Sequence, residues 1–204
     1  MDIKWIFFDI GSTLVDETKA YDHRAKEMLQ NTNITFDEFD NKRIEFAKLG
    51  YDGNSQAIKY FQLEKTPWPS SMEVPFADAA NTLETLKKRG YNLGTIANQE
   101  LGTKERLQQQ GILQYIDLVI ASAEEGIAKP DEKIFKIALQ RAACKSDNAI
   151  MIGDRIDNDI IPAKKLGFHT IWIKQGFGQY WNITTENETP DYTVQNLTEL
   201  CDIL

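Results

Sequence analysis

The sequence predicts an α/β protein with a Rossmann-like parallel sheet that helices cover on both faces and that carries a small α-helical cap insert. Short apolar runs alternate with helical patterns from about residue 77 to residue 173, as in consecutive βαβ units. Residues 18–74, by contrast, show helical spacing and no convincing strand. Because 204 residues suffice for one core with such an insert, we predict a core of residues 1–17 and 75–204 and a helical cap of residues 18–74.

The first element is a buried strand at residues 5–8. These residues, WIFF, form an unbroken apolar run that stops abruptly at Asp9, Gly11 and Ser12. Ligand sites of open α/β sheets lie outside the carboxyl ends of the strands. Asp9 is therefore predicted to lie where such a site is found.

Three helices are predicted within the insert. The first spans residues 18–30, and the third spans roughly residues 55–63. Between them, Thr35 precedes Glu38 by three residues, which is the spacing of a capping box, and this helix is expected to end near Gly50.

The remaining chain continues the alternation of helices and strands that implies right-handed crossovers and a parallel sheet. The predicted helices are residues 77–89, 103–110, 131–143, 158–166 and 197–204. The predicted strands are residues 91–97, 117–121, 149–152, 170–173 and, in the tail, 192–194.

Composition restricts the partners of this chain. With 31 acidic and 23 basic residues the net charge is −8, which argues against binding to nucleic acid or to an anionic membrane surface. The N-terminal apolar run is too short for a signal peptide or a membrane span, and the two cysteines show no disulfide framework. We therefore expect a cytoplasmic protein, as a monomer or a homodimer.

Polar segments follow four of the predicted strands or lie in the loops beyond them: residues 9–13 (DIGST), residues 97–99 (ANQ), Lys129 with Pro130, and residues 153–159 (GDRIDND). In order and placement these segments resemble the haloacid dehalogenase-like (HAD) hydrolase superfamily, in the subfamily whose helical cap follows the first strand. The strongest matches are FDIGSTL, AKPDEKIF and MIGDRIDNDIIPAKKLGF, and the resemblance covers nearly the whole chain.

The resemblance implies phosphoryl transfer through a covalent aspartyl-phosphate. Asp9 matches the nucleophile, and Lys129 matches the lysine that neutralises charge on Asp9 and on the transferring phosphoryl group. The metal of the family, usually Mg²⁺, would be held by Asp9, the carbonyl group of Gly11 and Asp154. Asp159 matches a second acid that holds a metal-bound water or orients Lys129.

Further contacts to the phosphoryl oxygens are expected from turns and from polar side chains. Tight turns offer N–H donors to anions. The predicted substrate-binding residues are Gly11, Ser12, Thr13, Asn98, Gln99 and Lys129. For Thr13 we favour a structural role, in which its hydroxyl group holds the turn, and not a catalytic role.

Two positions depart from the pattern of the family. Gly11 stands where phosphatases of the family have an Asp that protonates the leaving group, and losing such help costs on the order of 10² to 10⁴ in rate. Ala97 stands where a Ser or Thr hydroxyl usually binds the phosphoryl group, a hydrogen bond worth roughly 1.5 to 3 kcal/mol. Substitute acids close to the nucleophile in sequence are Asp16, Glu17 and His23.

These departures leave alternatives to a Mg²⁺-dependent phosphatase of a small phosphorylated metabolite. One is a weakly active or inactive protein that binds a phosphorylated ligand or a protein partner. Another is hydrolysis of a carbon–halogen or carbon–phosphorus bond. The pair Asp154 and Asp159 favours phosphoryl chemistry over dehalogenation, because the dehalogenase branch of the family needs no metal and usually lacks this pair.

Overall fold

The structure, a computed structural model, describes residues 2–204 and contains a six-stranded parallel sheet with the strand order β5-β4-β1-β6-β7-β8. A two-stranded antiparallel ribbon pairs β2 with β3. The strands are β1 (Trp5–Phe8), β2 (Val15–Asp16), β3 (Val74–Pro75), β4 (Asn92–Ala97), β5 (Leu118–Ala121), β6 (Ala149–Gly153), β7 (His169–Ile173) and β8 (Tyr192–Val194). The predicted fold class is confirmed, and β1 lies at the centre of the sheet between β4 and β6.

Helices cover both faces of this sheet. The helices are α1 (Thr18–Leu29), α2 (Phe36–Lys48), α3 (Gly53–Tyr60), α4 (Ala79–Lys88), α5 (Thr103–Gln109), α6 (Ser122–Glu125), α7 (Glu132–Arg141), α8 (Ile161–Lys165) and α9 (Leu200–Ile203). Buried residues of α4, α5 and α9 form one hydrophobic cluster with Ile6 and Phe8. Phe7 belongs to the other cluster, with α7 and α8. This division follows from the two-residue period of a strand, which sends successive side chains to opposite faces.

The helical insert comprises α1, α2 and α3 and has its own hydrophobic cluster, which includes Phe39 and Ile58. The predicted capping box forms: Thr35 accepts from the N–H group of Glu38, and the Glu38 side chain accepts from the N–H group of Thr35. The chain enters the insert after β2 and leaves it before β3. The antiparallel pairing of β2 with β3 therefore holds these two connecting segments side by side. Sequence patterns did not predict these strands, because two residues show no periodicity.

Three further elements differ from prediction, and the first is the four-residue helix α6, which no sequence pattern indicated. In place of a single helix over residues 158–166, the chain forms one π-helical turn at Ile156–Ile160 and only then α8. The C-terminal helix is shorter than residues 197–204, since α9 begins at Leu200. Within residues 2–204 there is no helix with the length and apolar character needed to cross a membrane.

Candidate active site

The central strands bring their polar ends together at one edge of the sheet. Asp9 directly follows β1, Asn98 directly follows β4 and Asp154 directly follows β6. Because β4 and β6 are the two neighbours of β1, these ends are adjacent. The sheet topology therefore assembles residues that are separated by up to 145 positions in the sequence.

An acidic cluster with one lysine lies at this edge. Carboxylate oxygens of Asp9, Asp154 and Asp159 lie within 4.8 Å of one another, and the last two residues are buried. The Nζ atom of Lys129 is 2.7 Å from Oδ1 of Asp9 and 2.6 Å from Oδ1 of Asp159. In the described chain, residues 2–204, Lys129 is the only cation that hydrogen-bonds a carboxylate of this cluster. One positive charge thus faces three carboxylates.

Asn98 holds the backbone of Lys129. The Asn98 side chain donates from Nδ2 to the carbonyl oxygen of Lys129 (2.9 Å) and accepts from the N–H group of Lys129 (2.7 Å). This pair of hydrogen bonds ties the loop that carries Lys129 to the end of β4. Both groups of the amide are engaged in this way, and the predicted contact of Asn98 with a phosphoryl group stays a prediction.

Asp159 owes its position to Gly153 and to the π-helical turn. A Cβ atom on Gly153 would lie 2.2 Å from Oδ2 of Asp159, so a side chain at position 153 would displace this carboxylate. Oδ2 also accepts from the N–H group of Arg155 at 3.0 Å. The wide turn thereby aims the Asp159 carboxylate back toward the end of β6.

Burial and charge shift the pKa values of the cluster. Burial and the neighbouring charge of Asp9 raise the pKa of Asp154 well above its ordinary value. Burial also raises the pKa of Asp159, to about 6, although Lys129 opposes the shift. Burial alone would lower the pKa of Lys129, but Asp159 and Asp9 outweigh it and raise that pKa. The lysine is therefore protonated at neutral pH, and the cluster carries excess negative charge that a cation would relieve.

The turn after Asp9 uses its N–H groups internally. The N–H group of Ser12 donates to the carbonyl oxygen of Val15, and that of Thr13 donates to the carbonyl oxygen of Ile10. The Thr13 hydroxyl is buried without a hydrogen-bond partner, so the turn is held by backbone bonds and not by this hydroxyl. The roles of Gly11, Ser12 and Thr13 toward a phosphoryl group stay predictions.

Two adjoining cavities open at this edge. The inner cavity, about 140 Å³, contains the acidic cluster and Lys129. The outer cavity, about 270 Å³, lies toward the helical insert and is lined by residues that include Tyr21, Arg24, Lys65 and Trp68. Four residues line both cavities: Glu17, Tyr21, Asn98 and Gln99. The Gln99 side chain accepts a hydrogen bond from Arg106. The Gln99 backbone donates to the Ser122 hydroxyl group and accepts from it.

Sequence patterns did not identify Tyr21 or Arg155 as site residues. Tyr21, on α1, reaches both cavities, and its ring packs against Trp68 at 4.8 Å between centroids. The Arg155 side chain donates to Asp52 of the helical insert (3.0 Å) and thereby links the insert to the core. An aromatic residue and an arginine without a motif give no signal in a single sequence.

Of the three substitute acids, the structure places only Glu17 at the inner cavity. Asp16 accepts from the N–H group of Thr18 at the start of α1, and His23 pairs with Glu27 on the exposed side of that helix. Burial, followed by the charge of Asp9, raises the pKa of Glu17 to about 8. At neutral pH this carboxyl group keeps its proton.

We expect Glu17 to make the metal-free protein less stable as the pH rises. Between pH 4.5 and about 8 the unfolded chain releases this proton while the folded chain retains it, so the free energy of unfolding falls by up to about 1.4 kcal/mol per pH unit. Urea unfolding across this window should show a shallower fall for Glu17→Gln than for the native chain or for Glu64→Gln, a variant at an exposed position. Equal slopes would contradict the assignment.

Loss of Lys129 should impair both stability and turnover. Lys129→Met leaves two carboxylates without their ammonium partner, which costs about 3 to 5 kcal/mol of unfolding free energy at neutral pH. If Lys129 has the role that the sequence resemblance implies, the turnover number should fall about 10²- to 10³-fold, because a charge that stabilises the transition state is lost. Denaturant unfolding and steady-state kinetics measure the two effects, and Lys133→Met on the exposed face of α7 is the control. A Lys129→Met variant with the unfolding free energy and the turnover number of the native chain would contradict both roles.

The fold and the cluster together define a hydrolase-like α/β protein with a candidate carboxylate nucleophile at the end of its central strand. The chain belongs to the haloacid dehalogenase-like hydrolase family, since the model of that family matches residues 6–173. This match confirms the family inferred from the sequence motifs, and the subfamily with a helical cap after the first strand stays a prediction.

Similar proteins cover nearly the whole chain. A glyceraldehyde 3-phosphate phosphatase of Methanocaldococcus jannaschii is 38% identical, over 99% of this chain and 97% of the relative. A glyceraldehyde 3-phosphate phosphatase of Pyrococcus furiosus is 32% identical, over 99% of this chain and 93% of the relative. Among solved structures, a HAD phosphatase from Thermococcus onnurineus has a TM-score of 0.67 and 24% identity, over 98% of this chain and 97% of that one, and shows the same fold.

Proposed function

We propose that this protein is a Mg²⁺-dependent phosphatase of a small phosphorylated metabolite and that Asp9 is its nucleophile. The observation that carries the proposal is the convergence of Asp9, Lys129 and the pair Asp154 and Asp159 in one cavity. Relatives that cover 99% of the chain and are named phosphatases support the same reaction class.

The residues present fit a hard divalent cation. Three carboxylates converge, two of them buried, and one ammonium group, that of Lys129, pairs with two of the three. Oxygen ligands of this kind are those that Mg²⁺ prefers. Asp9, Asp154 and the carbonyl group of Gly11 would hold the ion, with Asp159 beside them. When bound, the ion neutralises charge between the nucleophile and the phosphoryl oxygens.

The chain's own residues then perform the displacement. An oxygen of Asp9 attacks the phosphorus atom, and the ester oxygen leaves. Lys129 holds Asp9 in place through its hydrogen bond to Oδ1, and it stabilises charge on the transferring oxygens. Hydrolysis of the resulting aspartyl-phosphate by water releases phosphate and restores Asp9.

The outer cavity supports a small and polar substrate. Its volume of about 270 Å³ and its lining of charged and amide side chains suit a metabolite of few carbon atoms. We propose that the helical insert acts as a cap over this cavity, since Tyr21, Arg24 and Trp68 line it from that side. Glyceraldehyde 3-phosphate is the first compound to assay, because the relatives are named for it.

A panel of substrates tests the proposal. The panel contains glyceraldehyde 3-phosphate, other sugar and nucleoside phosphates, a phosphonate and a 2-haloacid, each with Mg²⁺ and with a chelator. Phosphate release that requires Mg²⁺ is expected. Release of halide or cleavage of the phosphonate alone would favour the other bond types, and inactivity across the panel would favour a ligand-binding protein. We further propose a cytoplasmic monomer or homodimer; light scattering distinguishes the two states.

A further inference from the structure

Hydrolysis of a phosphate ester needs a proton at the leaving oxygen. Without a donor this oxygen departs as an alkoxide, and a positioned general acid contributes about 10² to 10⁴ in rate. The inference below rests on the proposed function, because it concerns the group that supplies this proton.

The two cavities locate the bond that breaks. The phosphoryl group must lie in the inner cavity beside Asp9 and Lys129, and the remainder of the substrate must occupy the outer one. The scissile bond therefore lies where the cavities meet. Of the four residues that line both cavities, only Glu17 and Tyr21 carry an ionisable proton, and a carboxylic acid is intrinsically a stronger proton donor than a phenol.

The carboxyl group of Glu17 lies directly against Gly11. A Cβ atom built on Gly11 would be 2.5 Å from Oε1 and 2.6 Å from Oε2 of Glu17. The Ser12 hydroxyl donates to Oε2 at 3.2 Å and fixes the orientation of the group. The Glu17 carboxyl thus fills the space that a side chain at position 11 would occupy, two residues beyond the nucleophile.

Glu17 is also separate from the rest of the acidic machinery. Lys129 bonds Asp9 and Asp159, and the third member of the acidic cluster is Asp154. Glu17 belongs neither to this cluster nor to the ion pairs of Lys129. Among the carboxyl groups around the inner cavity, it is the one left free to exchange a proton with substrate and water.

We propose that Glu17 is the general acid–base residue of this enzyme and that its carboxyl group replaces the side chain that Gly11 lacks. In the first step an oxygen of Asp9 bonds to phosphorus while the bond from phosphorus to the ester oxygen breaks. The ester oxygen keeps the electron pair and takes the proton of Glu17. In the second step ionised Glu17 takes a proton from water, whose oxygen bonds to phosphorus as the bond from the Asp9 oxygen to phosphorus breaks and the Asp9 carboxylate leaves with the electron pair.

The test uses phosphate esters whose leaving groups range from acidic phenols to alkyl alcohols. Glu17→Gln, which preserves size, should lower the rate of phosphoryl transfer to Asp9 from alkyl esters about 10²- to 10⁴-fold and barely change transfer from nitrophenyl phosphate, whose leaving group needs no proton. Hydrolysis of the aspartyl-phosphate should slow equally for all esters, because this step loses its base, so the two steps are measured separately by single-turnover kinetics. The native chain should show a shallow dependence on leaving-group pKa. A retained first-turnover burst of nitrophenol also shows that the variant is folded.

A compensating pair adds a second readout. Gly11→Asp alone should displace the Glu17 carboxyl group, because a Cβ atom at position 11 would lie 2.5 Å from its Oε1 atom. Gly11→Asp combined with Glu17→Ala removes the collision and should recover alkyl ester hydrolysis above the level of Glu17→Ala alone. A purely structural role for Glu17 would give no such recovery.

Three outcomes would overturn the inference. A loss in the rate of phosphoryl transfer to Asp9 that is equal for all esters would make Glu17 structural, and unchanged kinetics in both steps would exclude it. A loss selective for alkyl esters in Tyr21→Phe, but not in Glu17→Gln, would assign the proton to Tyr21. If native activity depends on Asp9 and Mg²⁺ yet Glu17→Gln is unaffected, only this inference fails; if the native chain hydrolyses no ester, the proposed function fails with it.

Discussion

Asp9→Asn is expected to abolish turnover, with a fall in kcat of at least about 10³-fold. An amide is too weak a nucleophile to form the covalent intermediate. The substitution keeps the size of the side chain, and Lys129 retains its partner Asp159, so the fold should survive. Steady-state kinetics with the best substrate of the panel measures the effect.

Asp147→Asn is the matched control for this variant. Asp147 lies on the exposed turn before β6, so its substitution removes the same charge far from the cavity. Its kcat should match the native value. Unchanged turnover in Asp9→Asn would show that Asp9 is not the nucleophile.

Asp154→Asn should separate metal binding from folding. In the native chain, Mg²⁺ at about 100 times its Kd should raise the unfolding free energy by about 2.7 kcal/mol, and Tm should rise by about 2 to 4 °C for each kcal/mol. The variant should lose this response and its Mg²⁺-dependent turnover. Without metal it should be more stable than the native chain at neutral pH, because the buried carboxyl whose pKa is raised becomes a neutral amide.

Differential scanning calorimetry with and without Mg²⁺ measures both effects, again with Asp147→Asn as the control. An Asp154→Asn variant that is stabilised by Mg²⁺ as strongly as the native chain would place the ion elsewhere. A metal-free variant of lower stability would contradict the electrostatic account of the cluster.

Long or strongly patterned features of this protein were predictable from its sequence. The apolar run Trp5–Phe8 formed the central strand, and even the three-residue strand Tyr192–Val194 was placed correctly. The capping box of Thr35 and Glu38 likewise formed as expected. These features depend on local side-chain chemistry, which one sequence contains.

Features that depend on tertiary contacts were not predictable. The two-residue strands β2 and β3 exist only because they pair with each other. The π-helical turn depends on the approach of Asp159 to Gly153, which are six residues apart in sequence. Sequence patterns therefore gave the positions of the polar segments but not the geometry between them.

The proposed general acid, Glu17, also could not be predicted from the sequence alone. Asp16, Glu17 and His23 were equivalent candidates by distance along the chain. Only the structure distinguishes them, because it places the Glu17 carboxyl in the space beside Gly11. In the sequence, Gly11 indicates a missing acid. In the structure, the carboxyl group of Glu17, the residue before α1, lies beside this glycine.

The central claim is that Asp9 carries the phosphoryl group during turnover. Acid quenching of the native chain during turnover with Mg²⁺, then borohydride reduction and peptide mass spectrometry, tests it directly, because an aspartyl-phosphate is reduced to an alcohol while a free carboxylate is not. We predict reduction at Asp9, dependent on substrate and absent from Asp9→Asn. Phosphate release from a chain that shows reduction at another residue, or at none, would contradict the account.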